Sequence, residues 1–508
     1  MTAKSHGLSR LESFVKHCSD DPVDTLPQTF GRIGPRNPVT GIGPDGKPFG
    51  AEAVTTAFVD IVDGMSDPED PESAVAAGMT FFGQFIDHDI TLDATSAIGT
   101  RIDPASIRNV RTPALDLDCV YGDGPEASPH LYHPTRFGFL LFGNPGNALD
   151  LARNTHGTAL IGDPRNDENQ IVSQLQGAFV CLHNIVLSML ENGESALLQK
   201  IMGAITTRVL ENLETHEERF QAARRICRLH YQWLVLNDFL PSFVDADVLA
   251  AVKTSLANGQ LPAPFHQDAP VMPIEFSGAA YRFGHATVQS QYTLNDAMPA
   301  FDLFVLGRPE FTNRPADRNI SFSKLFSYPG NDSFQKARPI GRKMAKSIFA
   351  LPFINDGLTI GNHQIDPEQA RKLPLRNLLR DRFTLELASG QQIARKMNVD
   401  EVPAPQELRN HGITKTPLWY YCLHEAEQHG GKLGPVGGTI VATVLIRLLN
   451  LDPESVVCSA HDFSPWSELG ADPAGGYSMG HMLKFVEENR GNISHAAELV
   501  AGCPPAVE

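Results

Sequence analysis

The sequence contains few cysteines, and none of them is spaced as a metal-binding pair. The 508 residues include 7 cysteines, and no CxxC motif occurs among them. Zinc sites and disulfide-rich domains both depend on closely paired cysteines. The sequence therefore predicts buried thiols in a reduced compartment rather than a disulfide framework or a zinc site.

Long apolar runs are also lacking, and acidic residues outnumber basic ones. No uninterrupted apolar stretch reaches the roughly 18 residues that suggest a membrane span, and the segment Met1–Gly7 is polar. We therefore expect no spanning helix and no signal peptide, hence a cytoplasmic protein, with export by a non-classical route as the alternative. The formal net charge of −17 argues against nucleic acid or an anionic membrane as a partner.

Clear domain boundaries are scarce as well. The chain exceeds the usual single-core size of roughly 250–300 residues, yet it has no repeat and no shift in composition. Residues 20–50 are rich in proline and glycine and include a GxGxxG pattern at Gly41–Gly46. Pro44 and Pro48 exclude the helix that a nucleotide loop needs. We expect an irregular N-terminal arm over residues 1–50 and one large domain over residues 51–508.

The most informative stretch is Thr80–Ile90, in which Asp87, His88 and Asp89 interrupt an apolar run. The apolar residues recur at helical spacing. Successive helical residues point about 100° apart, so the three ionisable side chains need three different partners if they are buried. Gln84 lies one turn before His88 and shares its face. A helix with a solvated polar edge is the alternative to a site.

Thr112, Ala114, Asp116 and Asp118 recur at every second position. In an extended segment such residues point the same way. Carboxylates, a hydroxyl and backbone carbonyls form the hard-oxygen set that calcium prefers, and Asp89 could supply a third carboxylate. The pattern predicts either a calcium loop without EF-hand spacing or an edge strand with a solvated face.

Other polar residues punctuate helical segments. Arg165 and Glu168 lie in a turn before a long amphipathic helix, although an acidic residue there could simply favour the helix N-terminus. Arg282 and His285 are one helical turn apart among apolar residues, where a hydrogen-bonded core histidine is the alternative. Asn377 lies inside an apolar helix and needs a buried partner.

Sheet signals are weak along the whole chain. A helix over residues 217–239 should end before Pro241, and Pro417–Ala426 and Gly437–Asn450 are two further predicted helices. Strictly alternating runs are rare. We predict a mainly α fold, a single large helical domain with little β structure.

In this order, the motifs resemble those of the animal-type haem peroxidases of the peroxidase–cyclooxygenase superfamily, which includes bacterial members. The resemblance extends from about residue 75 to 450 and implies a haem peroxidase domain with haem b and calcium as cofactors. It implies that His88 is the catalytic base, that Arg165 stabilises charge, and that Gln84 binds a distal water or halide. Asp87 and Glu168 would lie against the haem edge and could be esterified to it.

The same resemblance implies that His285 is the proximal haem iron ligand. Asn377 would bind the other ring nitrogen of that histidine, and Arg282 would occupy its peroxidase position beside the haem. The calcium ligands would be Asp89, Thr112, the carbonyl of Ala114, Asp116 and Asp118.

The implied activity is reduction of hydrogen peroxide through an oxoferryl haem, with iodide, bromide, thiocyanate or a phenol as electron donor. Asn169 stands where some members have a haem-bonding methionine, so chloride is not an expected donor. Cyclooxygenases have a tyrosine three residues before the proximal histidine, where this chain has Arg282, and Tyr281 is one residue off. A fatty-acid dioxygenase is the first alternative. A non-catalytic adhesion or structural protein of this fold, or a non-haem metal scaffold, is the second.

Overall fold

The computed structural model describes residues 30–36, 49–92, 109, 114–193, 213–266, 271–304, 312–352, 354–459 and 463–492. The α-helices in these ranges are α1 (Ala51–Asp63), α2 (Gly78–Ile90), α3 (Asp118–Tyr121), α4 (Gln170–Glu191), α5 (His216–Leu234), α6 (Leu240–Phe243), α7 (Ala246–Ala257), α8 (Ile274–Ser277), α9 (Pro367–Ala370), α10 (Leu373–Leu379), α11 (Gly390–Met397), α12 (Gln406–Asn410), α13 (Leu418–Glu427), α14 (Pro435–Leu451) and α15 (Met479–Asn489). Two 3₁₀ helices, Pro164–Asp167 and Ala280–Thr287, lie at the site.

Strands are short and pair only two at a time in the described ranges. They are β1 (Ser66–Asp67), β2 (Phe142–Asn144), β3 (Asn147–Leu151), β4 (Gln291–Tyr292), β5 (Phe301–Asp302), β6 (Met344–Ala345), β7 (Leu358–Ile360) and β8 (His363–Ile365). The pair β1–β6 is parallel, and β2–β3, β4–β5 and β7–β8 are antiparallel. The predicted mainly α fold with little β structure is confirmed.

Aromatic side chains hold α2, α4 and α5 together at the centre. Phe85 of α2 stacks on Phe179 of α4 with ring centroids 4.6 Å apart. Tyr231 of α5 meets both rings edge-on, and Phe82 is fully buried beside them. Aromatic pairs in these arrangements add to the free energy gained by burying their area. The helix that carries Asp87, His88 and Asp89 is therefore a core element, not a solvated edge.

Helix α4 begins at a well-formed cap and runs through the interior. The Asn169 side chain accepts hydrogen bonds from the N–H groups of Ile171 and Val172, which satisfies two of the helix's unpaired donors. By length and composition α4 could cross a membrane, but 94% of its apolar window is buried inside the protein. Its apolar character is explained by its place in the core.

Two helix predictions are confirmed and one is wrong. Helices α13 and α14 match the predicted segments closely. The helix before Pro241 does not stop there: α5 continues through a π-helical segment, Val235–Phe239, into α6. Pro241 is the second residue of α6, directly after the π-helical segment.

Part of the predicted arm packs on the domain. Residues 1–29 and 37–48 lie outside the described ranges. In the segment 30–36, Gly31 exchanges backbone hydrogen bonds with Met272 and Ile274 at 3.2 and 2.8 Å, and Phe30 is buried.

Candidate active site

One cavity of about 410 Å³ collects most of the predicted site residues. Its walls come from α2, the segment that follows the 3₁₀ turn Pro164–Asp167, the 3₁₀ helix Ala280–Thr287 and α10. The predicted residues that line it are Gln84, Asp87, His88, Arg165, Glu168, Arg282 and His285. Segments far apart in the chain therefore meet around one space, which is the usual form of a small-molecule site.

His88 is held by a residue that the sequence reading did not single out. Its Nδ1 lies 2.7 Å from Oδ1 of Asn166, and both residues are buried. Burial, followed by the nearby Arg165 charge, lowers the pKa of His88 to about 4. The imidazole is therefore neutral near pH 7, and with Nδ1 engaged, Nε2 is the nitrogen available to the cavity.

Arg165 is fixed in place by a buried carboxylate and by α2. Asp163 accepts hydrogen bonds from its Nε and Nη2 at 3.1 and 2.8 Å, and Nη2 also donates to the carbonyl of His88 at 3.2 Å. Burial alone would lower the pKa of Arg165, but the Asp163 carboxylate outweighs it and raises the pKa. The guanidinium is a permanent positive charge on the cavity wall beside His88.

Glu168 meets α2 through Gln84. The Gln84 Nε2 donates to Oε1 of Glu168 at 2.6 Å, and Asn169 Nδ2 donates to Oε1 of Gln84 at 3.1 Å. Burial raises the pKa of Glu168 to about 7. Asp87 lines the same cavity and accepts from the Thr91 hydroxyl at 2.9 Å.

His285 is paired with Asn377, as the resemblance implies. The Asn377 Nδ2 lies 2.8 Å from Nδ1 of His285, and Oδ1 of Asn377 is buried with no hydrogen-bond partner among the described residues. Burial, then the charges of Arg282 and Arg380, lowers the pKa of His285 to about 3. Turning the amide over would give the orphaned oxygen the ring N–H and free the Nε2 lone pair for a metal. These residues thus fit a proximal haem ligand and its partner.

Three carboxylates lie close together where the end of α2 meets the loop before α3. Oxygen atoms of Asp89, Asp116 and Asp118 lie within 4.8 Å of one another. Burial, then the neighbouring carboxylates, raises the pKa of Asp89 well above its ordinary value, and one oxygen of Asp116 is buried without a hydrogen-bond partner among the described residues. Such crowding is stable only if a cation or protons neutralise it, so the donor set fits a divalent cation.

The backbone of this loop differs from the prediction. Its described part, residues 114–118, is not a strand: Leu117 has the left-handed φ of 61°, and Asp118 begins the short helix α3. The Asp89 carboxylate accepts from the N–H groups of Leu117 and Cys119 at 3.2 and 3.5 Å, which a bent loop can offer and a strand cannot. Ala114 is buried nearby, and Thr112 lies outside the described residues.

A buried ion-pair network supports the turn that carries Arg165 and Glu168. Arg153 donates to both oxygens of Asp167 at 2.6 and 2.8 Å and to Asp150 at 2.9 and 3.2 Å. The side chains of Arg153 and Asp167 are only 2% and 3% exposed. Sequence reasoning missed this network because Asp150 lies on β3, Arg153 lies just after it and Asp167 lies in the 3₁₀ turn, with no periodic pattern to connect them.

Comparison with known proteins identifies the family of the chain. A family profile described as animal haem peroxidase matches residues 94–382, more than half of the 508-residue chain. The matched stretch includes Arg165, Glu168, His285 and Asn377 and begins just after α2. No curated protein matches.

Solved structures of the same fold span nearly the whole chain. Peroxidase A from Dictyostelium discoideum is 15% identical with a TM-score of 0.58, covering 92% of this chain and 94% of its own. A fatty acid alpha-dioxygenase from Oryza sativa is 16% identical with a TM-score of 0.55, covering 98% and 87%. The fatty acid alpha-dioxygenase from Arabidopsis thaliana is 14% identical with a TM-score of 0.57, covering 96% and 82%. At this identity the neighbours establish the fold, and the profile match establishes that the chain belongs to the animal haem peroxidase family.

Proposed function

We propose that this protein is a haem peroxidase that reduces hydrogen peroxide and oxidises small donors such as iodide, bromide, thiocyanate or phenols. One observation carries the proposal. Two neutral histidines, His88 and His285, line the same cavity, and each has Nδ1 within hydrogen-bond distance of a buried asparagine amide. This arrangement suits one histidine to ligate iron and the other to move protons.

His285 would ligate the haem iron, and Asn377 would hold the imidazole ring of His285 in its orientation. When bound, haem supplies the redox-active iron at which the O–O bond of hydrogen peroxide is broken. Asp87 and Glu168 line the cavity, and their carboxyl groups are the candidates for ester links to the haem. Arg282 lines it too, one turn before His285.

The remaining residues would handle protons and charge. Nε2 of His88 accepts a proton from one peroxide oxygen and returns it to the departing oxygen, which leaves as water. The Arg165 guanidinium, oriented by Asp163, stabilises the negative charge that develops during cleavage. Gln84, whose amide is held between Glu168 and Asn169 on the cavity wall, would bind a water or halide.

Calcium would occupy the carboxylate cluster of Asp89, Asp116 and Asp118, with Thr112 and the Ala114 carbonyl as the further ligands implied by resemblance. Asp89 is the neighbour of His88 on α2. A cation there would hold the base-bearing end of α2 against the loop before α3.

The test is an absorption spectrum of the haem-loaded protein before and after a small excess of hydrogen peroxide. We expect a ferric Soret band that changes rapidly and returns when iodide or a phenol is added. A Soret band that ignores peroxide would contradict a peroxidase. No Soret band at all would mean that His285 is a core histidine and that only the fold is shared.

A fatty-acid dioxygenase is the second candidate, because apolar side chains line much of the cavity and two structural neighbours carry that activity in their names. The apolar lining includes Leu303, Ile348, Leu351, Ile354 and Leu373. Against it, Arg282 stands one turn before His285, and the Tyr281 hydroxyl is engaged by the carbonyl of Gly83 at 3.1 Å. Oxygen consumption by the haem-loaded protein with palmitate, without peroxide reactivity, would favour the dioxygenase.

A further inference from the structure

A chain of three buried hydrogen bonds leads away from His88. Its Nδ1 lies 2.7 Å from Oδ1 of Asn166, Nδ2 of Asn166 donates to Oε1 of Gln176 at 2.8 Å, and Nε2 of Gln176 donates to the carbonyl of Cys119 at 3.1 Å. Asn166, Gln176 and Cys119 have no exposed surface. The chain therefore connects the candidate base to the backbone of α3 without access to water.

The carbonyl of Cys119 ends this series of hydrogen bonds and determines the direction of the other bonds in it. A carbonyl oxygen can only accept a hydrogen bond, so Gln176 must turn its amide nitrogen toward Cys119. Its oxygen then faces Asn166, which must present its nitrogen to Gln176 and its oxygen to His88. An oxygen facing Nδ1 requires a proton on Nδ1. The Nε2 lone pair of His88 is thus left free for the cavity.

A single asparagine beside a histidine would not enforce this choice, because its amide can turn over and accept or donate equally well. Here the reversed arrangement would place the oxygen of Gln176 against the oxygen of Cys119 inside the core, where an unpaired polar group is costly. The directional end of the chain is what selects the tautomer.

The backbone of the same residue, Cys119, connects the hydrogen-bond chain to the carboxylate cluster. The N–H of Cys119 points to Oδ1 of Asp89 at 3.5 Å, and Asp89 follows His88 on α2. Gly162, at the start of the turn that carries Asn166, passes so close that an added Cβ would lie 2.6 Å from the Cys119 oxygen. Both ends of the hydrogen-bond chain, at His88 and at Cys119, are therefore fixed relative to each other.

We propose that Asn166 and Gln176 are positioning residues that hold His88 in the Nδ1–H tautomer, with unprotonated Nε2 facing the cavity. The inference rests on the proposed function, since it concerns the base of that reaction. It adds Asn166, Gln176 and the direction of their hydrogen bonds to the site, and none of these follows from the family resemblance.

The test uses the C–O stretching band of the ferrous haem–carbon monoxide complex, which falls when a neighbouring group donates a hydrogen bond to the bound gas. With the Nε2 lone pair facing the ligand, the unaltered protein should lack a band due to donation by His88. Gln176→Leu removes the directional end, both tautomers become accessible, and a second band at lower frequency should appear. Peroxide reactivity should fall in parallel.

The matched control is Gln174→Leu on the same helix. Gln174 is also buried, but it binds Arg318 and Ile320 instead of the chain, so its replacement should leave the carbon monoxide band unchanged. Gln176→Glu is the rescue variant, because a protonated Glu side chain donates to Cys119 and accepts from Asn166 in the same direction. It should restore the single band and covers the case in which Gln176→Leu fails to fold.

The two proposals fail differently. Absence of haem binding or of any peroxide reaction would overturn the proposed function. A protein that binds haem and reacts with peroxide, but whose carbon monoxide band is the same in Gln176→Leu or changes equally in Gln174→Leu, would overturn the tautomer assignment alone. A second band in Gln176→Glu would do the same.

Discussion

Gln84 and Glu168 are 84 residues apart in the chain and joined by a hydrogen bond of 2.6 Å on the cavity wall. The bond connects α2 to the cap region of α4. Burial of the carboxyl group in this bond raises the pKa of Glu168 to about 7.

Glu168→Gln should therefore make the haem-free protein more stable at alkaline pH. The folded-state pKa is raised from 4.5 to about 7, so the folded protein binds the proton more tightly and wild-type stability falls as pH rises through this interval. The gain in unfolding free energy of Glu168→Gln over the wild type should reach about 3 kcal/mol above pH 7 and vanish below pH 4. Urea unfolding at pH 4 and pH 8 measures it, and equal gains at both pH values would contradict the assignment.

If Asp87 and Glu168 form esters, haem should stay with the denatured protein after turnover with peroxide. Acidified organic solvent should then extract no haem from the unaltered protein. It should extract part of it from Asp87→Asn or Glu168→Gln and all of it from the double variant. Free haem from the unaltered protein after turnover would show that the carboxyl groups are present but unlinked.

His88→Ala should retain haem, because His285 is untouched, but slow the reaction with peroxide by roughly 10²–10⁴-fold. Stopped-flow absorption measures the rate. His216→Ala removes an imidazole whose side chain is 67% exposed and outside the cavity, and it should leave the rate unchanged. A normal rate in His88→Ala would assign the proton transfer to another group.

Asp116→Asn combined with Asp118→Asn should abolish calcium binding, since two of the three converging carboxylates are lost. Elemental analysis of the purified protein measures the metal, and the peroxide reaction should slow because α2 loses its anchor. Asp123→Asn changes an exposed carboxylate close by in the sequence and is the control. Full calcium content in the double variant would refute the loop assignment.

Arg153→Met should destabilise the protein by about 3–5 kcal/mol, because it removes the buried partner of Asp167 and leaves Arg314 as the ion-pair partner of Asp150. Arg395→Met breaks an exposed pair with Glu401 and should cost at most about 1 kcal/mol. Denaturant unfolding compares the two. Similar losses would mean that the buried network contributes little to the turn that carries Arg165.

Much of the candidate site could be predicted because its residues interrupt regular apolar patterns. His88 and Asn377 are polar residues inside apolar helices, and such residues need partners wherever they occur. His183 and Asn184 on α4 obey the same rule, since they bind the carbonyl groups of Gly138 and Leu140.

Other features could not be read from the chain. Asn166 lies in a turn, where asparagine is common for purely local reasons, so nothing in the sequence connects it to a histidine 78 residues earlier. Alternation from Thr112 to Asp118 suggested an extended segment, either a calcium loop or an edge strand, but the Asp89 carboxylate binds the backbone N–H groups of Leu117 and Cys119, and the described part of the segment is bent there. Long-range contacts overrode local pattern in both cases.

The contact between His285 and Asn377 spans 92 residues, and this has a consequence for biosynthesis. A nascent chain that has emerged only as far as the 3₁₀ helix Ala280–Thr287 already contains His88, Arg165 and His285, but Asn377, the partner of His285, has not yet emerged from the ribosome. Haem captured at that stage would meet an unoriented imidazole. If His285 is the iron ligand, haem binding should wait until α10 has been synthesised and has packed, and fragments truncated before residue 377 should not bind haem stably.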